Sequence, residues 1–215
     1  MDKIRAARIL DLARSGGADF AELFVEETRF SSLVLRDRKI ESATAGTEFG
    51  IGVRMIWGSQ VLYGHTSRED EDALAKLVSD LAAARPRNGT GLDLGATISG
   101  SVEYGRNLSR FVHPHDASKD GRLDALRLAD ETARGVAAKV AQVSASVLHR
   151  HSRIAIFNSD GLDVSDDRTW TRMTVAVVAE DGGQRQTGSE APGLRQGLEF
   201  LQGLDVRKLS TTAAD

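Results

Sequence analysis

The sequence predicts an α+β fold in which helices pack on a curved, mainly antiparallel sheet built from two related helix-plus-meander units. Three observations support this class. Apolar and polar residues alternate through residues 18–67, apolar residues recur at helical spacing on both sides of that stretch, and residues 141–189 repeat the arrangement. A chain of 215 residues is long enough to bury roughly 70% of its unfolded surface.

The composition narrows the class of protein. The chain contains no cysteine, which excludes disulfides and thiolate metal sites within it and fits a reducing cytoplasm. The net charge of −3, with acids and bases interspersed, lacks the basic face of a DNA-binding domain, so no direct nucleic-acid partner is expected. Charges interrupt the first 17 residues, and no run of 18 apolar residues occurs, so neither a signal peptide nor a membrane partner is expected.

The first predicted unit covers residues 1–86 and begins with a helix over residues 3–15. Four apolar residues recur there at i, i+3, i+4 and i+7, and Gly16-Gly17 follows as a left-handed stop. Residues 18–67 are interpreted as four or five antiparallel strands. The predicted breaks are Asp37-Arg38, Ala45-Gly46 and Gly58-Ser59.

The strands of this meander are predicted to have one buried face. A strand over residues 19–28 places Ala21, Leu23 and Val25 on one side. A later strand, residues 48–57, carries Gly50 and Gly52 on one side, which predicts a bulge or the close approach of another backbone. The four ionic residues 36–39 are predicted to form an exposed turn, because desolvating them would be costly.

A second helix follows the meander. Ser67 is the predicted N-cap, four acidic residues occupy the first turn, and Pro86 ends the helix. Its predicted buried stripe consists of Ala73, Leu74, Leu77, Val78, Leu81 and Ala82.

Residues 87–117 show no periodicity and are predicted to be a connecting surface segment. The second unit then covers residues 118–215, with Ser118 capping a helix over residues 119–139. Its meander matches the first at a constant offset of 122 residues. After Gly193 the pattern is weakly helical and stops at Asp215 without a capped terminal element, so the chain is interpreted as cut at this end.

Several residues have side chains suited to catalysis or metal binding, but each has a simpler interpretation. His113 and His115, like His149 and His151, have the i, i+2 spacing of metal ligands, yet no third ligand is identifiable, and solvated turn histidines are the favoured interpretation. Carboxylates on an exposed strand face are common, so catalysis by the acids there is not favoured. These acids are Glu22, Glu26 and Glu27.

The Tyr63-Gly64-His65 segment closes the first meander and is the remaining candidate. The side chains of Tyr63 and His65 are predicted to face a peptide, although a plain edge-strand role is the simpler alternative. An edge strand is also able to accept an extended peptide through its main chain, which leaves no sequence signature.

Residues 20–67, 120–147 and 157–190 together resemble the N-terminal domain of the TldD/PmbA family, whose members have been named as modulators of DNA gyrase. The Ser-Asp-Gly turn at 159–161 and the Glu-Asp-Gly-Gly hairpin at 180–183 resemble the TldD branch. The chain departs from the family pattern at His113-Pro114-His115, where an Asp-Pro is usual, and in the short run after Ser189.

The resemblance implies a zinc metallopeptidase that degrades or processes small or unfolded peptides in the cytoplasm as a homo- or heterodimer with a TldD/PmbA-type subunit. The family's His-Glu-x-x-x-His metal motif belongs to a C-terminal catalytic domain, and no residue of this chain matches it. We therefore assign no catalytic, metal or cofactor-binding residue, expect zinc in the missing domain, and predict that the chain alone is inactive. It would supply walls of the substrate channel and part of the dimer contact. The alternative is a stand-alone, non-catalytic peptide-binding or scaffold protein derived from that family.

Overall fold

The computed structural model describes residues 1–85, 119–136 and 139–215. The predicted connecting segment, residues 87–117 with His113 and His115, lies outside the described residues. Pro86 and Ser118, which flank it, also lie outside them. The described elements, in chain order, are α1 (Lys3–Ser15), β1 (Phe20–Arg36), β2 (Lys39–Trp57), β3 (Gln60–Thr66), α2 (Glu71–Ala83), α3 (Lys119–Val136), β4 (Val140–Asn158), β5 (Asp163–Asp181), β6 (Gln184–Glu190), β7 (Gly193–Leu194), α4 (Phe200–Gly203) and α5 (Val206–Ala214). The predicted α+β class is confirmed.

The strands form one sheet in the order β3-β2-β1-β4-β5-β6, with β7 paired to β5. The β2–β3 and β5–β6 pairs are antiparallel and are joined by two-residue turns. Asp37 and Arg38, with φ of 49° and 66°, form the left-handed turn between β1 and β2. Gly182 and Gly183 do the same between β5 and β6, with φ of 55° and 81°.

The predicted break at Ala45-Gly46 is wrong, because β2 runs unbroken from Lys39 to Trp57. Residues 18–67 therefore hold three strands rather than four or five, of which β1 and β2 are long. Gly46 is not a turn residue: a Cβ there would lie 2.8 Å from Cζ of Phe30. Because Gly46 has no side chain, the Phe30 ring fits against the strand. In the sequence, a glycine with this packing role looks the same as a glycine that ends a strand.

The two meanders are related, but the constant offset of 122 is wrong. Arg36 and Asn158, which end β1 and β4, are 122 residues apart, whereas Trp57 and Asp181, which end β2 and β5, are 124 apart. The change occurs at the first turn of each meander, which has two residues after β1 and four after β4. From there on, the β2–β3 register of Val53 with Gly64 recurs as Val177 with Gly188.

The predicted helix bounds hold at α1 and shift elsewhere. The N-cap of α2 is Asp70 rather than Ser67, because the Asp70 carboxylate accepts a hydrogen bond from the Ala73 N–H at 2.9 Å. The described part of α3 reaches Val136, and Lys139, the predicted last residue of the helix, lies in a turn. At Gly17, with φ of 85°, the left-handed stop after α1 is confirmed.

The absence of a capped terminal element after Gly193 was also a wrong prediction. The chain forms α5, whose N-cap Asp205 accepts from the Lys208 N–H at 2.9 Å. Its buried residues recur at i, i+3, i+4 and i+7. Ser210 is one of them, and together with the adjacent Thr211 and Thr212 it weakens the sequence signal for a helix. These buried residues are Val206, Leu209, Ser210 and Ala213.

The described residues divide into two compact units, each with its own core. One takes residues 1–28, 48–85 and 152–167, and the other takes residues 29–47, 119–136, 139–151 and 168–215. Each unit thus contains a hairpin tip from the other sequence repeat. Accordingly, Phe157 packs in the core with α1 and α2, and Leu35 packs in the core with α3 and α5. The sequential division at residues 87–117 stays a prediction.

A glycine occupies the same register in both edge strands and lies against a helix from later in the chain. A Cβ on Gly64 of β3 would lie 2.7 Å from the Cδ1 atom of Leu77 in α2. A Cβ on Gly188 of β6 would overlap the carbonyl oxygen of Ala213 in α5 and lie 3.3 Å from its carbonyl carbon. The first obstacle is the end of a flexible side chain, while the second is backbone.

We expect Gly188→Ala to lower the free energy of unfolding by about 2–3 kcal/mol, because α5 has to move away from β6. Gly64→Ala is expected to cost about 1 kcal/mol or less, since the Leu77 side chain is able to rotate. The matched control is Gly135→Ala on α3, where a Cβ meets nothing within 4 Å and helix propensity favours alanine. Urea unfolding measures all three; an equal effect of the two strand substitutions would contradict the assignment.

The N-cap of α2 should make stability depend on acid pH. The Arg68 guanidinium, 2.8 Å from the Asp70 carboxylate, and the Ala73 N–H hold the pKa of Asp70 below its ordinary value of 3.8. The carboxylate therefore stabilises the fold above that pH, and the contribution is lost as pH falls through the lowered pKa. An NMR titration of the Asp70 carboxyl should show the lowered pKa, and in Arg68→Gln the pKa should return toward 3.8. An unchanged pKa in that variant would count against the ion pair.

Candidate functional site

The edge strand β3 presents an exposed row of three side chains. Val61 is 55% exposed and Tyr63 is 61% exposed, and His65 is exposed as well, while the residues between them are partly covered. The rings of Tyr63 and His65 stack with their centroids 6.4 Å apart and an interplanar angle of 26°. The two residues predicted to face a peptide are thus neighbours on one exposed strand face, and their role stays a prediction.

The turn before β3 determines which backbone groups face outward. Gly58 has φ of 56° and Ser59 has no positive φ, which is the arrangement of a type II′ hairpin. In such a hairpin the flanking pair, Trp57 with Gln60, exchanges both backbone hydrogen bonds, and bonded pairs then alternate along the ladder. Val61, Tyr63 and His65 consequently direct their N–H and C=O groups away from β2, toward the outer edge.

Gly52 of β2 lies beneath the Tyr63 ring. A Cβ on Gly52 would lie 2.8 Å from the Tyr63 Cε2 atom, so only glycine lets the ring rest on the strand. The sequence predicted a bulge or a backbone approach at the glycines of this strand. At Gly52 the close approach is instead made by an aromatic side chain.

The three acids for which catalysis was considered and not favoured all have partners. Glu22 lies 3.1 Å from Arg54, Glu26 accepts from the Thr28 hydroxyl at 2.9 Å, and Glu27 lies 2.7 Å from Arg153. These contacts support the structural interpretation of the acidic strand face that the sequence favoured.

The interpretation of His149 as a solvated turn residue is wrong. It lies inside β4 and is 1% exposed, with its Nδ1 atom 2.9 Å from the Thr171 Oγ1. The Thr171 hydroxyl also lies 2.9 Å from the carbonyl oxygens of Gln196 and Gly197. Two adjacent polar residues, Arg150 and His151, gave His149 the appearance of a turn, although it occupies the helix-facing side of the strand.

A second buried polar contact joins α3 to β1 and was not predicted from the sequence. The buried Arg122 donates from Nη1 to the Ser31 Oγ at 3.1 Å. Burial lowers the pKa of the Arg122 guanidinium. A clue was available, since Arg122 directly precedes the apolar stripe of α3, but a single arginine in a helix usually points to solvent.

The described residues do not provide a metal site. Among residues 1–85, 119–136 and 139–215, no group of three histidine, cysteine, aspartate or glutamate side chains is placed to hold an ion. The chemistry of these donors therefore does not fit zinc, and no hydrolytic step follows from them.

Four charged side chains join the β1–β2 turn to α3. The buried Asp130 carboxylate lies 3.2 Å from Arg134 Nε and 3.7 Å from Arg38 Nε, while Arg134 Nη2 lies 2.5 Å from Asp37. Burial, the largest single effect, lowers the pKa of Arg134, but the hydrogen bonds to both aspartates outweigh it and raise the pKa. The charged turn is exposed as predicted, and it is also tied to α3.

Two domain models of one family match most of the chain. The model described as PmbA/TldA metallopeptidase domain 1 matches residues 21–85, and the one described as the PmbA/TldA metallopeptidase central domain matches residues 112–215. The chain is 26% identical over 197 residues to the metalloprotease TldD homolog of Haemophilus influenzae, covering 90% of this chain and 40% of that protein.

Solved structures share the fold. A Thermotoga maritima protein named as a proposed modulator of a DNA gyrase gives a TM-score of 0.74 at 17% identity, over 99% of this chain and 46% of that one. TldE from Thermococcus kodakarensis gives 0.71 at 17% identity, over 98% and 46%. The chain spans about 40% of the length of the curated relatives it matches.

Within the part of the chain that the structure describes, no helix has the length and apolar character needed to cross a membrane.

The ion pairs around α3 predict that the Asp130 carboxylate stabilises the fold. Asp130→Asn should lower the free energy of unfolding by about 1–3 kcal/mol, because it removes the charge that Arg134 and Arg38 approach in a buried place. Asp124→Asn, an exposed position on the same helix, is the matched control and should change stability by less than about 0.5 kcal/mol. Urea unfolding provides the measurement, and equal effects of the two substitutions would show that the network adds nothing.

Proposed function

The chain belongs to the PmbA/TldD metallopeptidase family, and on that premise we propose that it forms the substrate-binding, N-terminal part of a longer peptidase. The substrates are small or unfolded peptides, which this part helps to enclose as walls of a channel. The observation that carries the proposal is that the first and central domain models of a metallopeptidase family match the chain along most of its length.

The metal belongs elsewhere in this proposal. Because the described residues do not fit zinc, we place the ion and its His-Glu-x-x-x-His segment in a domain outside residues 1–215. The relatives' greater length supports this placement, since about 60% of the Haemophilus influenzae protein lies outside the match, as follows from the 40% covered. The chain contributes binding surface and no catalytic group.

The same premise covers the assembly and the cellular location. We propose a homo- or heterodimer with a TldD/PmbA-type subunit, supported by the similarity to a TldD homolog and to a protein named TldE. We propose a cytoplasmic protein, supported by the absence of cysteine. The peptide-facing residues are Tyr63 and His65, supported by their exposure on an edge strand.

A second candidate is a stand-alone peptide-binding or scaffold protein. The observation that favours it is an exposed edge strand in a chain whose described residues form no metal site. The coding sequence past Asp215 separates the two candidates: continuation into His-Glu-x-x-x-His supports the peptidase, and a stop codon supports the scaffold.

The peptidase proposal predicts different activities for two forms of the protein. A quenched fluorescent peptide should not be cleaved above background by residues 1–215 alone. The form extended through the following domain should cleave it, and a zinc chelator should reduce the rate at least about tenfold. Robust, chelator-sensitive cleavage by the 215-residue chain would contradict the proposal, and so would an extended form that remains inactive with added zinc.

A further inference from the structure

We propose that Arg122 binds a carboxylate group of a peptide through the Nε and Nη2 edge of its guanidinium, at the N-terminal end of α3. The inference deepens the proposed function, on which it rests for peptides as the class of ligand. The site consists of one buried arginine and one buried serine, which lie in the same compact unit, so it requires neither a metal nor another domain.

The charge of Arg122 has no counter-charge among the described residues. Arg122 is 9% exposed, and an arginine side chain keeps its positive charge in a folded protein. Within the described part of the chain, its side chain donates only from Nη1 to the neutral Ser31 hydroxyl. Burial alone shifts its pKa, and it lowers the pKa, whereas a neighbouring carboxylate would raise it. A charge buried in this way is costly until an anion joins it.

The other charge buried in α3 is compensated by the chain itself. The Asp130 carboxylate is 1% exposed and lies 3.2 Å from Arg134 Nε and 3.7 Å from Arg38 Nε. Two cations thus approach one buried acid. The same helix gives Arg122 no such partner among the described residues. We infer the missing partner to be a ligand.

The donors that remain on Arg122 have the geometry of a binding fork. A guanidinium is planar, and its Nε–H points in the same direction as one N–H of Nη2. Ser31 occupies Nη1, on the other side. The Nε atom is enclosed and has no hydrogen-bond partner, whereas Nη2 is not enclosed. The fork therefore has an inner donor in need of an acceptor and an outer donor that a ligand is able to reach.

The position of Arg122 in its helix also favours an anion. It lies in the first turn of α3, which begins at Lys119. Helix side chains lean toward the N-terminus of their helix, so the guanidinium extends toward the positive end of the helix dipole. A cation is unfavourable there, and a bound anion relieves that repulsion. The dipole adds to the effect of the buried guanidinium, which remains the basis of the site.

The charge balance selects a carboxylate as the anion. One negative charge neutralises one guanidinium, whereas a phosphate group carries nearly two and would leave an excess in a largely enclosed place. A planar carboxylate also matches the planar fork with two parallel hydrogen bonds. Small peptides carry this group at the C-terminus and on acidic side chains. The entrance lies beside Gly121, which is exposed.

The probe is N-acetyl-trialanine with a free C-terminal carboxylate, added at millimolar concentration to the 215-residue chain. In an NMR spectrum of the arginine side chains, the Arg122 Nε–H signal should move, and its exchange with water should slow at least about tenfold. The same tripeptide with an amidated C-terminus should move nothing. Movement by the amidated peptide carrying one aspartate would support the site with a side-chain carboxylate as ligand. A signal that no carboxylate moves, or that both alanine peptides move equally, would overturn the proposal.

Substitution of Arg122 separates the fork from its charge. Arg122→Lys keeps the charge and loses the fork, so the affinity for the carboxylate peptide should fall at least about tenfold. The matched control is Arg127→Gln, an exposed position on the same helix, which should leave the affinity unchanged. An equal loss in both variants, or no loss in Arg122→Lys, would overturn the assignment.

A double variant tests the missing counter-charge without any ligand. S31A/R122M removes both partners of the buried hydrogen bond, and its urea midpoint should equal or exceed that of the unchanged protein, because no ion pair is lost. The carboxylate peptide should raise the midpoint of the unchanged protein only. A midpoint lowered as far as in Asp130→Asn would show that a carboxylate of the chain already pairs with Arg122, and would overturn the proposal.

The binding measurement requires no cleavage, so the site and the peptidase are tested separately. Chelator-sensitive cleavage by the extended protein, with no movement of the Arg122 signal, would reject this site alone. Movement of the signal without any cleavage by the extended protein would support the site and reject the peptidase.

Discussion

The pairing of β1 with β4 is the constraint on which the remaining structure depends. The backbone bonds from Ser159 N–H to the Ala21 oxygen, at 2.9 Å, and from Asp37 N–H to the Val143 oxygen, at 3.0 Å, show two long strands running antiparallel. Between them, the hydroxyls of Thr28 and Ser152 lie 2.6 Å apart in a buried place. This pairing brings the hairpin tip of each repeat into the core of the other unit. Neither repeat has a complete core of its own.

Much of the architecture followed from periodicity, because burial on one face imposes it directly. The alternation of Ala21, Leu23 and Val25 gave the correct buried face of β1, and the stripe of α1 gave that helix to the residue. Predictions based on local chemistry were less successful. Ser67 is a good cap by type, but Asp70 is held in place by Arg68, a contact that composition does not reveal.

The candidate site shows the same limit more strongly. Tyr63 and His65 stood out in the sequence as side chains, yet their spacing does not reveal that Gly52 accepts the Tyr63 ring or that the hairpin turns three backbone pairs outward. The prediction for His149 was wrong because its polar neighbours in the sequence suggested an exposed turn, whereas the residue is buried. Main-chain recognition is the function least visible in a sequence, because every residue except proline carries the same groups.

The exchange of hairpin tips between the two sequence repeats has a consequence for synthesis on the ribosome. The core around α1 and α2 includes Phe157, so it stays incomplete after residue 85 has been made. At about 5–20 residues per second, translation reaches residue 167 roughly 4–16 s later. During that interval the core lacks Phe157 and β1 lacks its partner strand β4, so the nascent chain has an unpaired strand edge of the kind that chaperones shield from aggregation.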